Sequence, residues 1–108
     1  MASPISLTFD AIEIARGLEA GGYEVFHETE GVQLGIYVLA APEPDTQKPH
    51  EWDELYLVLE GSGTLEVEGE EIRVEEGSTA FVKAGADHRF KGYERMTLLV
   101  VFDKSRTA

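Results

Sequence analysis

From residue 22 onward, apolar residues recur at every second position in short runs, each closed by turn-forming residues. Val32, Leu34, Ile36 and Val38 share one face of an extended segment, the period-two signature of a strand over residues 32–40. Residues 64–68 and 72–74, joined through Gly69, predict a hairpin with apolar side chains on one face and acidic ones on the other. Further strands are predicted at residues 23–29, 79–82, 88–90 and 96–102. Residues 10–20 read as a helix of about three turns. Asp10 caps it, Glu13 reaches back as in a capping box, and Gly21-Gly22 ends it. Gly17 inside this helix costs about 1 kcal/mol relative to alanine. Residues 41–49, which include Pro42, Pro44 and Pro49, predict an irregular, exposed loop. Many short strands at regular spacing predict an all-β sandwich or barrel with a short N-terminal helix.

Two strands are apolar on both faces. Tyr56 and Val58 oppose Leu55, Leu57 and Leu59, while Met96, Leu98, Val100 and Phe102 oppose Leu99 and Val101. A half-exposed antiparallel strand would alternate, so the outer faces need cover. The helix can cover one, and a second subunit would cover more, because large apolar patches are uncommon on monomers. A homodimer is therefore expected.

Residues 49–63 leave two readings open. Trp52, Leu55, Tyr56 and Leu59 fit helical spacing, and on a helix His50 and Glu54 would share a face. On a straight strand their Cα atoms would stand about 13 Å apart at ~3.3 Å per residue, too far to share an ion. The strand neighbours and the Gly61-Ser62-Gly63 turn favour a strand, with the chain bent between His50 and Asp53.

Composition narrows the function. A chain of 108 residues is large enough for one core. We expect residues 1–21, an arm and helix, to pack on a barrel of residues 22–108. There is no cysteine, so any metal must be held by His, Asp, Glu or water. The formal charge of −12 argues against nucleic acid and anionic membrane as partners, since both need Lys and Arg to displace counterions. No basic, apolar leader and no membrane-length apolar run is evident, so a cytoplasmic location is the expectation.

The stretch from Asp53 to Gly61 resembles the first motif of the cupins, a family of small β-barrels. Glu54 and Gly61 have the motif's spacing, and His50 falls on its second histidine. Lys48 stands where the first histidine is usual. Gly77, Gly85 and His88 match the second motif, with Lys83 in place of its proline and Gly92 in place of its asparagine. The resemblance covers residues 48–92 and implies a double-stranded β-helix, or jelly-roll barrel. It further implies His50, Glu54 and His88 as ligands of a divalent metal ion: Fe, Zn, Mn, Ni or Co. Two imidazoles and one carboxylate suit non-haem Fe(II), with positions open for water, substrate or oxygen. Gln47 could add an oxygen or a hydrogen bond; the Lys48 ammonium cannot coordinate. The implied activity is that of a metal-dependent dioxygenase, isomerase or lyase acting on a small organic molecule in the barrel. The alternative is a non-catalytic barrel that binds a small molecule or sugar. Trp52 is expected at the pocket mouth, Tyr56, Phe81 and Phe90 in the core, and His27 in a structural place. Lys83 and Arg89 are candidate anion contacts. The short acidic helix is unsuited to DNA recognition.

Overall fold

The computed structural model describes residues 5–105. Its order is α1 (Ala11–Arg16), β1 (Gly22–Glu28), β2 (Val32–Ala40), β3 (Asp53–Val67), β4 (Glu70–Glu75), β5 (Thr79–Val82), β6 (His88–Lys91) and β7 (Arg95–Asp103). The fold is all-β and antiparallel, a jelly-roll barrel with one short helix at its N-terminal end. The first four residues of the expected arm and the last three of the chain lie outside the described residues.

α1 is shorter than the period predicted. Asp10 caps it by accepting the Glu13 backbone N–H at 3.0 Å. It ends at Gly17, whose N–H turns back to the Ile14 carbonyl at 3.1 Å. Gly17 terminates the helix, consistent with its low helix propensity.

β3 organises everything else. Its first half pairs with β7 on one side and β5 on the other; its second half pairs with β4 and β6. The strand therefore belongs to both sheets of the barrel. The predicted break at Gly61-Ser62-Gly63 is absent, because the strand runs through it. A register shift against β7 falls between Val58 and Glu60. Before it the buried positions are Glu54, Tyr56 and Val58; after it they are Gly63 and Leu65. One extra residue reverses which face looks inward, as a bulge must when side chains alternate with period two. Gly61 sits at this corner with φ +85, and an added Cβ would collide with the Arg95 carbonyl oxygen.

The barrel core contains Tyr56, Val58, Leu65, Val82, Phe90, Met96, Leu98, Val100 and Phe102. Phe81, expected with them, is 63% exposed, because the β5 alternation turns Val82 inward instead. The Val32, Leu34, Ile36, Val38 stripe of β2 faces away from this core. Ile36 and Val38 are buried with Ala15, against Ala11, Ile14 and Leu18 and the outward side chains of Leu59 and Leu99. α1 thus covers only part of the outer face. Cross-strand pairs Leu34–Val101, Val101–Leu55 and Leu55–Phe81 form a row that the helix does not cover, with Leu55 40% exposed.

Candidate metal centre

The chain bends at residues 51–52 and enters β3 at Asp53. Two contacts tie this bend to the loop before β6: the Gly85 N–H donates to the His50 carbonyl at 2.8 Å, and the Ala84 N–H to Asp53 Oδ1 at 2.9 Å. The two motif-like stretches are thereby joined. His50, Glu54 and His88 converge, with one candidate ligand atom from each lying within 4.8 Å of the others. His88 Nε2 is 3.1 Å from Glu54 Oε1, and His50 Nε2 is 3.9 Å from the same oxygen. Glu54 and His88 are each 3% exposed, whereas His50 is half-buried.

Proton placement at His88 tests whether this set fits a cation. Its Nδ1 lies 3.0 Å from the Ala86 carbonyl oxygen, which can only accept, so Nδ1 carries the proton. In the neutral ring Nε2 then presents a lone pair to Glu54 Oε1, a buried carboxylate oxygen with no hydrogen-bond donor of its own. Two lone pairs facing each other at 3.1 Å need something positive between them: a proton, carried by the ring or by the carboxyl, or a metal ion. Burial works against a charged ring, but hydrogen bonds to Glu54 and Ala86 and the charges of Glu54 and Asp45 outweigh it, holding the His88 pKa above its ordinary value. At metal–ligand bonds of ~2.1 Å, donors at right angles lie ~3.0 Å apart and tetrahedral donors ~3.4 Å. The 3.1 Å separation falls between those spacings and the 3.9 Å one lies above them, so a small closing of His50 toward Glu54 would let the donor set fit a divalent metal.

Beside these residues lies a cavity of about 170 Å³, lined by Tyr23, Tyr37, Gln47, His50, Glu54, Val100 and Phe102. Adjacent strands of one sheet and the loop before β3 supply the lining. Tyr23 and Tyr37 are directly paired across β1 and β2, with rings edge-on at 6.0 Å. Gly35 makes room for Tyr23, since a Cβ there would collide with the Tyr23 ring and hydroxyl. Burial, then the charges of Glu54 and Glu28, pushes the Tyr23 phenol up to about 12. Burial and the Asp45 carboxylate hold the Tyr37 phenol further above its usual range. Tyr56, behind the pocket, is raised by burial and by Glu54. All three hydroxyls keep their protons at neutral pH and act as donors.

Several expectations need correction here. Trp52 does not line the cavity; it packs edge-on against Phe102 at 5.6 Å, and Phe102 packs against His50 at 4.9 Å. Lys83 is exposed, and exposed Arg89 pairs with Glu66 at 3.2 Å, so neither lines the pocket. His27 lies against Phe9, ring centroids 5.6 Å apart, outside the candidate centre. The proline loop is not wholly exposed, because Asp45 turns inward and is 5% exposed. Of the pocket residues, Tyr23 and Tyr37 were not singled out by sequence pattern, nor was Asp45, which holds Tyr37 and Gln47 from behind. Gly35, on the β2 face opposite the apolar stripe, was the available signal for the tyrosines.

A family profile described as Cupin domain matches residues 35–102. The chain is a cupin. An uncharacterized protein of Streptomyces coelicolor is 37% identical over 94 residues, covering 86% of this cupin and 90% of that protein. The tetracenomycin polyketide synthase protein TcmJ of Streptomyces glaucescens is 38% identical over 76 residues, 69% of this cupin and 51% of that protein. Among solved structures, a single-residue mutant of salicylate 1,2-dioxygenase from Pseudoaminobacter salicylatoxidans superposes with a TM-score of 0.78 at 13% identity, covering 88% of this cupin and 35% of that chain. At that identity the likeness concerns the fold. Among the described residues no helix is long and apolar enough to cross a membrane.

Proposed function

We propose that this cupin binds a divalent metal ion through His50, Glu54 and His88 and acts on a small organic molecule held in the adjoining pocket. The observation that carries the reading is the buried face-to-face approach of His88 Nε2 and Glu54 Oε1 at 3.1 Å. A bound ion supplies Lewis acidity toward a substrate oxygen or, as iron, the means of oxygenation. The chain's own residues do the rest. Val100 and Phe102 offer an apolar seat, and the Tyr23 and Tyr37 hydroxyls, which stay protonated and donate to Gln33 and Asp45, supply no base there. The cavity of about 170 Å³ is close to the ~150 Å³ that accommodates a benzene ring. A ring-sized substrate with an oxygen function to face the metal fits best. The polyketide synthase association of the TcmJ relative is compatible with such a molecule. The chemistry is that of a dioxygenase, or of an isomerase or lyase.

A second reading, a non-catalytic small-molecule or sugar-binding barrel, is favoured by one feature: the pocket-lining residues contain no proton acceptor besides His50 and Glu54. Elemental analysis of purified protein, followed by oxygen uptake and product analysis against hydroxylated and carboxylated ring compounds, separates the two. We expect about one metal ion per chain with substrate-dependent turnover. Metal without turnover would favour the binding role, and protein that cannot be loaded with any divalent ion would defeat the metal reading.

We also propose that the apolar row of Leu34, Val101, Leu55 and Phe81 is covered by a second copy of the chain. Double substitution Leu55→Glu and Phe81→Glu is expected to convert a dimer to a monomer in sedimentation velocity at micromolar concentration. A wild-type monomer under those conditions would end the idea.

A further inference from the structure

We infer that Gln47 is a fourth protein donor to the metal, standing in for the first-motif histidine whose position Lys48 occupies. The inference rests on the His50, Glu54 and His88 reading. Lys48 is exposed, so the motif's own position turns away. Gln47, one residue earlier, is half-buried and lines the pocket with His50 and Glu54.

The orientation of its amide is determined by chemistry. Gln47 Nε2 donates to Asp45 Oδ2 at 2.6 Å, and a carboxylate only accepts, so turning the amide over would set oxygen against oxygen. Asp45 is itself held. It accepts the Tyr37 hydroxyl at 2.6 Å, the Phe90 backbone N–H at 2.8 Å and the Gln47 backbone N–H at 3.4 Å. Gln47 Oε1 therefore faces the centre, 3.1 Å from His50 Nε2 and 3.0 Å from the Tyr56 hydroxyl. That hydroxyl lies 3.1 Å from His88 Nε2, which closes a ring of polar atoms through Glu54 Oε1.

Within the ring Tyr56 brings the proton and the other four atoms can bring lone pairs. An amide oxygen has two lone pairs, so Gln47 can accept from Tyr56 and still offer one to a cation. His50 Nε2 donates to Gln47 Oε1 only while it carries a proton; with its proton on Nδ1, the two atoms again need a cation between them. Two imidazoles, a carboxylate and a carboxamide make a harder set than three imidazoles and a carboxylate. This moves the preference toward Mn.

The test follows Co²⁺ uptake by metal-free protein through visible absorption, and counts inner-sphere water in the Mn²⁺-loaded protein by water-proton relaxation. Gln47→Leu is expected to weaken Co²⁺ binding at least ~10-fold, a loss that an orienting group alone could also produce, and to admit one additional water to Mn²⁺, which only a lost ligand would do. Gln47→His, which restores a donor at that place, is expected to recover wild-type affinity within a few-fold and to exclude that water. Should Gln47→Leu fold poorly, the Gln47→His water count still decides: an extra water there would overturn the inference. Unchanged Co²⁺ affinity in Gln47→Leu, or weaker binding with no added water, would likewise overturn ligation, the latter reducing Gln47 to a residue that positions His50. If wild-type protein takes up neither ion, the three-ligand reading itself falls, and this shows before any substitution is made.

Discussion

Glu54→Gln is expected to weaken metal binding by more than ~100-fold, beyond the ~10–100-fold that follows loss of a group that merely orients a ligand. The same substitution is expected to stabilise the metal-free protein above neutral pH. Glu54 is 3% exposed, and its Oε1 faces His88 Nε2, a donor only while the ring is protonated and a lone pair once it is neutral. The His88 pKa is raised above its ordinary 6.5, because the Glu54 and Ala86 hydrogen bonds and the nearby carboxylate charges overcome the opposing effect of burial. The contribution of that pairing to stability is therefore fully present below pH 6.5 and disappears as pH rises through the raised value. Above it, a buried carboxylate is left facing a neutral ring. A carboxamide at this position can donate N–H to His88 Nε2 and carries no charge into the core, whereas a buried carboxylate facing a neutral ring is a charge without a partner, which is costly. Thermal unfolding of metal-free protein across the range from acid to mildly alkaline pH checks this. Wild type should lose stability relative to Glu54→Gln as pH rises. Parallel profiles, or a variant that still binds metal tightly, would contradict this account of the site.

Gly61→Ala is expected to cost more than ~4 kcal/mol, a loss large enough to unfold many domains of this size. Gly61 has φ +85, and an added Cβ would collide with the Arg95 carbonyl oxygen while crowding the Met96 Cα at 3.1 Å. The backbone of β7 cannot yield without opening the Gly61–Met96 pair at the corner where β3 passes between sheets. Gly77 supplies the control. It has φ +90 but nothing within 4 Å of its Cβ position. Gly77→Ala should therefore incur only the backbone strain, ~1–3 kcal/mol. Urea unfolding of both variants separates strain from collision. Equal losses would mean that β7 gives way and that the corner is not rigid.

How far the site could be read from the chain differs residue by residue. His50, Glu54 and His88 were legible because motif spacing links them, although only the bend at residues 51–52 and the Gly85–His50 contact explain how they meet. Gly61-Ser62-Gly63 was misread as a turn, because glycine marks both turns and places where backbones approach closely. Phe81 was misplaced in the core, since a strand of four residues gives little alternation from which to choose its inner face. Asp45 lay hidden among loop residues. A buried carboxylate there depends on partners from Tyr37 and Phe90, far along the chain, that no local pattern announces.

The opposite faces of β2 divide the two kinds of information. Alternation alone determined that residues 32–40 form a strand and that Val32, Leu34, Ile36 and Val38 lie together, since side-chain direction along a strand is a local property. Repeated along the chain it gave the all-β class; the short helix was marked by its cap residue Asp10, and His50, Glu54 and His88 were picked out by the resemblance to the cupin motifs. Whether the apolar stripe looked into the barrel or out of it depended on what packed against each side. The tertiary structure decided that α1 covers part of the stripe and that the other face, with Gly35 and Tyr37, opens onto the pocket. In the same way, only the fold could turn Gln47 toward His50 and Lys48 away, because the direction of a loop side chain is set by distant partners rather than by its neighbours in sequence.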